Sequence, residues 1–323
     1  MAAADLYYLA AIALIGLVSL DRSGRVGPLV ARWLSGAAWR WSAGKRLAAL
    51  RSVQRAFGSE KSAAQREQVV RGSLRGFWLE LLDWMPSAGG EARQRGAAVV
   101  GLEHLDRALE AGAGVILWES NGFGARLAAK QALRRRGYAL HQLHGRLNLG
   151  GFLTDDASGT WVRRTIVRRI FLRLERRFMV GAIDIPERGT ARFGRTLASL
   201  LRQNQVVCVA ADGKEGRHRL PLTFLRHQVS FSTGMCTLAR VSGAPLMPLI
   251  AVRDPLQGPR VVIGPPLASL PTLDRDRANR ACLEQFALLL ESYVRRYPDQ
   301  YRNWHLLEAA PAPASSEEQP ESG

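Results

Sequence analysis

The sequence predicts an α/β fold in which a mostly parallel central sheet is flanked by helices and preceded by an N-terminal helical region. Three observations support this prediction. Short apolar runs alternate with amphipathic helical segments between residues 96 and 308, as they do when crossover helices join parallel strands. Apolar residues between Ser35 and Trp84 recur at helical spacing. The chain has 323 residues, of which 47% are hydrophobic, so it can bury a large core and is not a disordered protein.

The chain begins with an uncharged apolar run between Asp5 and Asp21. A membrane-spanning helix needs about 17–25 residues, so this run is at the lower limit. It is either a membrane-anchoring or interfacial helix or an apolar helix packed on the domain. Arginines follow it directly, so a spanning helix here would leave the rest of the chain on the cytoplasmic side. We interpret residues 1–21 as the anchoring or interfacial helix and residues 22–95 as the N-terminal helical region.

The predicted core, residues 96–308, is a series of alternating elements. Strands are predicted at residues 114–118, 138–144, 180–185, 205–211, 245–252 and 260–264. Helices are predicted at residues 102–112, 123–135, 161–177, 191–202 and 232–242. In parallel sheets the ligand binds beyond the carboxyl ends of the strands. The first loops to consider follow Trp118, His144, Ile185, Ala211 and Val252.

Residues 309–323 contain no aromatic residue and no aliphatic residue larger than alanine, so they are predicted to form a disordered tail. The three cysteines are far apart in the sequence, odd in number and flanked by apolar residues. They suggest neither a disulfide framework nor a metal site.

The chain is strongly basic, with 45 Lys and Arg against 28 Asp and Glu and a formal charge of +17. Arginine dominates, which favours an anionic partner, although a GC-rich genome also raises the arginine content. Seven arginines surround an apolar stripe between Trp161 and Phe178, against the single Glu175. No zinc spacing, aromatic RNA-binding motif or DNA-binding turn accompanies this charge, so nucleic acid is not a predicted partner.

Three blocks of sequence together carry a family resemblance. Cys208–Val252 contains a strand that ends in an Asp-containing loop, a Pro/Phe segment, and a TG…LA…SGAP…P helix and strand. Leu283–Leu307 contains a long helix and the element YPDQYRNWH, and residues 45–84 are helical in pattern. In this order the blocks resemble the bacterial lipid A late acyltransferases of the lysophospholipid acyltransferase superfamily, over roughly residues 5–307.

The resemblance implies a glycerophosphate acyltransferase-like core and transfer of a fatty acyl group to a lipid. The donor would be acyl carrier protein or acyl-CoA, used as a co-substrate, with no other cofactor. The partners would be this donor, a lipid or other amphipathic acceptor, and an anionic membrane surface. The implied location is the cytoplasmic face of a bacterial inner membrane.

The family's defining element, a histidine followed five positions later by Asp or Glu, is absent. In GVILWESNGFGARL, an ungapped comparison puts Asn121 at the histidine position and Arg126 at the carboxylate position. Aligning the Phe-Gly pairs instead puts Gly122 and Leu127 there. None of the six histidines has Asp or Glu five positions later. A non-standard mechanism or a catalytically degenerate protein is therefore expected.

Two candidate residues follow the first core strand. Glu119 is either a partly buried base or a carboxylate that compensates a helix dipole or pairs with Arg126. Asn121 is either a helix cap or a hydrogen-bond donor to the thioester carbonyl.

The other candidates follow later strands. Asp212, Lys214 and Glu215 end the strand at residues 205–211, where the family shapes its acceptor pocket, but they also fit a solvated turn. His144, and equally His141, is either a displaced base or a structural histidine.

The arginine-rich segment has three interpretations besides a solvated helix face. Arg163, Arg164 and Arg168 are its candidate substrate-binding residues. They would face anionic lipid headgroups, the acidic carrier protein or a phosphorylated acceptor. The leading hypothesis is a membrane-associated acyltransferase with a non-standard mechanism, and the alternative is a degenerate member that acts as a lipid-binding or partner subunit.

Overall fold

The computed structural model describes residues 3–19, 26–83, 97–120, 122–123, 125–144, 161–162, 165–166, 169–170, 173, 176–186, 191–211, 218–254, 258–268 and 274–307. It confirms the predicted class, with a mostly parallel seven-stranded sheet flanked by helices and preceded by a helical region.

Four helices make up the N-terminal region: α1 (Ala3–Ser19), α2 (Val26–Trp41), α3 (Ala43–Phe57) and α4 (Ala63–Asp83). Helices α1, α2 and α4 share a small apolar core that contains Val18, Leu34 and Trp78. Among the described residues, no helix has both the length and the apolar character needed to cross a membrane.

The remaining elements alternate between strand and helix. The strands are β1 (Ala98–Val100), β2 (Val115–Glu119), β3 (Leu140–His144), β4 (Gly181–Asp184), β5 (Val206–Ala210), β6 (Arg219–Phe224), β7 (His227–Ser232), β8 (Leu246–Asp254) and β9 (Gly258–Ile263). The helices are α5 (Leu102–Glu110), α6 (Arg126–Arg135), α7 (Ala191–Arg202), α8 (Gly234–Ser242), α9 (Arg275–Arg296) and α10 (Trp304–Leu307). Of the predicted helix at residues 161–177, residues 163–164, 167–168, 171–172 and 174–175 lie outside the described residues, while residues 161–162, 169–170 and 173 are helical.

The sheet has the strand order β1-β9-β8-β2-β5-β3-β4. Strands β8, β2, β5, β3 and β4 are parallel to one another, while β9 is antiparallel to β8 and parallel to β1. The five loops singled out from the sequence therefore leave the sheet at the same edge, the one formed by the carboxyl ends of these parallel strands, as predicted. The strand β2 is fully buried at the centre, and one large apolar core covers each face of the sheet.

Strand β1 and the hairpin β6–β7 were not predicted. The hairpin turns at Leu225 and Arg226, whose φ angles are 51° and 62°. Tight hairpins usually have Asn-Gly or Asp-Gly at these two positions. Leu-Arg does not match this pattern, so the hairpin could not be predicted from the turn residues. The Leu225 N–H donates to Glu291 Oε2 at 3.0 Å, which stabilises the turn against helix α9.

Candidate functional site

The candidate site lies where the central strands end. Glu119 is the last residue of β2, and it is in register with Ala210 of β5 and Leu249 of β8. Its backbone oxygen accepts the N–H of Ala211 at 2.8 Å. The loop that continues to Asp212 therefore starts beside Glu119.

The Glu119 side chain is buried and forms an ion pair with a lysine. Its Oε1 lies 3.6 Å from Nζ of Lys130 on α6, and both side chains are 3% exposed. Neither carboxylate oxygen has a hydrogen-bond donor within reach among the described residues. The pairing suggested from the sequence was with Arg126. That residue begins α6, but its side chain lies outside the described part of the structure.

His144 ends β3 at the same edge as Glu119. The register joins Leu117, Cys208 and Gln142 in one row across β2, β5 and β3. Since side chains alternate along a strand, Glu119 and His144 lie on the same face of the sheet. Strand β5 separates them, which puts their strands about 10 Å apart. The structure brings the two candidates to one edge, but not into contact.

The other sequence candidates lie outside the described residues. They are Asn121, Asp212, Lys214, Glu215, Arg163, Arg164 and Arg168. His141, the second histidine considered, is the partly buried second residue of β3, and its Nε2 lies 3.3 Å from Oε1 of Gln205, which precedes β5.

The loop after β2 is covered by the C-terminal element, which consists of a 3-10 turn (Pro298–Gln300) and helix α10. The Arg302 N–H donates to the Gly122 carbonyl oxygen at 2.7 Å, and Phe123 forms an antiparallel bridge with Tyr301. The Phe123 and Tyr301 ring centroids are 5.9 Å apart. Aromatic packing therefore covers this loop next to Glu119.

Gly122 is the point of closest approach between the loop and Tyr301. A Cβ atom there would lie 2.1 Å from Cε2 and 2.4 Å from Cδ2 of Tyr301. We expect Gly122→Ala to lower the free energy of unfolding by about 1–3 kcal/mol, because the ring is too tightly packed to move freely. Urea denaturation measures this loss. Gly76→Ala is the matched control, since a Cβ at Gly76 meets no atom within 4 Å. Equal stability of both variants would contradict the contact.

A second buried charged cluster underlies the C-terminal element, and sequence reasoning missed it. The Arg302 Nη1 donates to Oε2 of Glu80 on α4, and both side chains are almost fully buried. Burial lowers the pKa of the nearby Arg253 guanidinium, while the negative charge of Glu80 opposes that shift. Part of the signal was present in the sequence, because Glu80 interrupts the apolar run of α4, while Arg253 only ends the apolar run of β8.

The C-terminal element is also tied to β8 through Gln300. Its Nε2 donates to the Arg253 carbonyl oxygen at 2.7 Å, and its Oε1 accepts the Arg253 N–H at 2.8 Å. The single side-chain amide of Gln300 thus forms the two hydrogen bonds that a neighbouring strand would otherwise form with Arg253 near the end of β8. The same end of β8 carries the partly buried Arg253 side chain.

No group of three or more His, Cys, Asp or Glu residues that could hold a metal ion occurs within the described ranges. The three cysteines are buried and unbridged. The groups available for chemistry at the described site are therefore a carboxylate, an ammonium group and an imidazole.

The C-terminal part of the chain is similar to a known protein family. Residues 179–307 match the family model described as bacterial lipid A biosynthesis acyltransferase. The match begins just before β4 and ends with α10, so it includes the C-terminal element but not β2 or Glu119. No curated protein sequence matches the chain significantly.

Proposed function

Residues 179–307 match the bacterial lipid A biosynthesis acyltransferase family, and from this match we propose a specific reaction for the chain. It transfers a fatty acyl group from acyl carrier protein or acyl-CoA to a lipid or other amphipathic acceptor, at the cytoplasmic face of a bacterial inner membrane. The general acyltransferase role follows from the family. The donor, the acceptor and the location are our proposal.

The reaction requires a general base that accepts the proton of the attacking acceptor group. The acceptor oxygen or nitrogen attacks the thioester carbonyl carbon, a C–O or C–N bond forms, and the C–S bond breaks. The acceptor's proton passes to a base, and the thiolate leaves after taking up a proton. An amine that is already deprotonated needs less help from a base than a hydroxyl group does.

The observation that carries the proposal is the carboxylate of Glu119 at the carboxyl end of the central strand, where ligands bind in such sheets. Of the two described candidates, Glu119 has the more central position, because it ends β2, which lies between β5 and β8. His144 ends β3, which lies next to the outermost strand β4. Lys130 holds the carboxylate in place from the side of α6. Asp212 follows Ala211, which is hydrogen-bonded to Glu119, and is the second candidate base.

The experiment is an acyl-transfer assay with labelled acyl carrier protein or acyl-CoA and a bacterial lipid extract. The variant is Glu119→Gln combined with Lys130→Met, because the single change would remove the carboxylate that faces the buried Lys130 ammonium group. We expect the double variant to fold and to lose about 10²- to 10⁴-fold in kcat, the usual contribution of a general base.

Glu119→Asp with Lys130 unchanged is the matched control, since it keeps both charges of the buried pair. Asp212→Ala and His144→Ala test the other candidate bases. Activity that survives in the double glutamine variant but disappears in Asp212→Ala would reject Glu119 as the base. Loss of activity only in His144→Ala would reject both acidic candidates.

A second function is favoured by the aromatic cover on the loop after β2. Tyr301 contacts Gly122 directly, and Phe123 is fully buried, which suits a member that binds an acyl chain or a partner without turnover. In that case the wild-type protein binds fatty acyl thioesters saturably but transfers no acyl group from either donor. Turnover by the wild-type protein would reject this alternative.

A further inference from the structure

Helix α1 exposes only apolar side chains among its described residues. The exposed positions are Leu6, Ala10, Ala13, Gly16 and Leu17. They recur at helical spacing along one side, and Leu6 and Leu17 are 57% and 64% exposed. The other side of the helix packs against α2 and α4 through Val18. Helix α1 is therefore attached to the domain by one side and presents an apolar surface on the other.

Helix α2 adds large apolar side chains to the exposed surface. Val26, Leu29 and Trp33 follow one another at spacings of three and four residues, and Leu29 and Trp33 are 64% and 61% exposed. Trp41 at the end of the helix is 70% exposed. The opposite side of α2 is buried. We call the exposed side chains of Leu6, Leu17, Val26, Leu29, Trp33 and Trp41 the apolar face.

The charge along α2 and α3 has one sign. Residues 22–59 contain eight lysines and arginines and no aspartate or glutamate. Arg32 and Arg40 are exposed and are the sequence neighbours of Trp33 and Trp41. Positive side chains of this kind are attracted to anionic lipid headgroups by about 1 kcal/mol each. A second copy of the same surface would instead be repelled.

We propose that the apolar face binds an anionic lipid bilayer, with α1 and α2 lying in the plane of its interface. The leucines and Val26 enter the acyl boundary, Trp33 and Trp41 lie at headgroup level, and Arg32 and Arg40 contact lipid phosphates. Helix α2 thus shares with α1 the role that the sequence suggested for residues 1–21 alone. The inference deepens the proposed function and rests on it for the membrane location, but it does not depend on catalysis.

Flotation of the full-length protein with lipid vesicles tests this binding. The vesicles are pure phosphatidylcholine or equimolar phosphatidylcholine and phosphatidylglycerol. We expect the wild-type protein to float with the anionic vesicles and much less with the neutral ones. The variant L29S/W33S/W41S should lose at least about tenfold in partition coefficient, because three large apolar side chains leave the interface. R32E/R40E should lose about tenfold or more on anionic vesicles.

Matched controls come from other exposed positions. Val241 on α8 and Leu288 on α9 are 74% and 72% exposed, so V241S/L288S removes apolar surface of the same kind elsewhere. R192E reverses an exposed charge on α7. Both controls should float like the wild-type protein. All these positions are exposed, so the variants should fold, which circular dichroism checks.

Three results would overturn the inference. The first is equal flotation of L29S/W33S/W41S and the wild-type protein. The second is loss of flotation only in R169E/R173E, which would assign the membrane contact to the arginine-rich segment. The third is a wild-type dimer that does not float with either kind of vesicle and that the W33S substitution converts to a monomer. The proposed function fails separately, if the wild-type protein floats but transfers no acyl group to an acceptor in detergent.

Discussion

Replacing Glu80 with glutamine is expected to lower the free energy of unfolding by about 3–5 kcal/mol, the cost of breaking a buried ion pair. Glu80 is the carboxylate that faces both Arg302 and Arg253. Its loss removes the negative charge that faces the buried Arg302 guanidinium and the partly buried Arg253 guanidinium. Guanidinium denaturation followed by tryptophan fluorescence measures the change.

Arg302→Met should cost less than Glu80→Gln, because Arg253 still faces the remaining carboxylate. The control is Arg280→Met, which removes one member of a surface pair whose side chains are 47% and 53% exposed. Exposed pairs contribute about 0–1 kcal/mol. If Glu80→Gln costs no more than Arg280→Met, the cluster is hydrated in solution and the argument from burial is wrong.

Lys130→Met is expected to destabilise the protein by a similar amount, about 3–5 kcal/mol, because Glu119 would become an uncompensated buried charge. Adding Glu119→Gln to this variant should restore most of the loss, since both charges are then absent. Differential scanning calorimetry of the two single variants and the double variant measures the coupling.

Arg275→Met serves as the control for Lys130, because its side chain is 60% exposed and its partner Asp276 is 73% exposed. The coupling between Glu119 and Lys130 should exceed that of the Arg275 pair several-fold. Additive effects of the two buried substitutions would show that the side chains do not interact and would remove the positional role given to Lys130.

Much of the fold could be predicted because it depends on local patterns. The helix at residues 191–202 was predicted with the bounds that the structure has, since its apolar residues follow a regular helical period. The common edge of the five loops followed from the alternation of strands and helices. The hairpin was missed because Leu225 and Arg226 adopt backbone angles that these residue types rarely take.

The candidate site could be predicted only in part. Glu119 was a candidate from the sequence, because a carboxylate follows a short apolar strand. Its partner Lys130 was not, since the contact depends on how α6 packs across the sheet. Glu80 and Arg302 are separated by 222 positions along the chain, and no local pattern connects them.

The position of the C-terminal element has a consequence for how the protein is made. Synthesis proceeds from the N-terminus, so helix α4 and the loop after β2 leave the ribosome long before Tyr301 and Arg302 exist. Until then Glu80 lacks one of its guanidinium partners and Gly122 lacks its aromatic cover. We therefore expect the nascent chain to become resistant to proteases only after residues 298–307 are made, and a chain that stops before Pro298 to expose surface that chaperones bind.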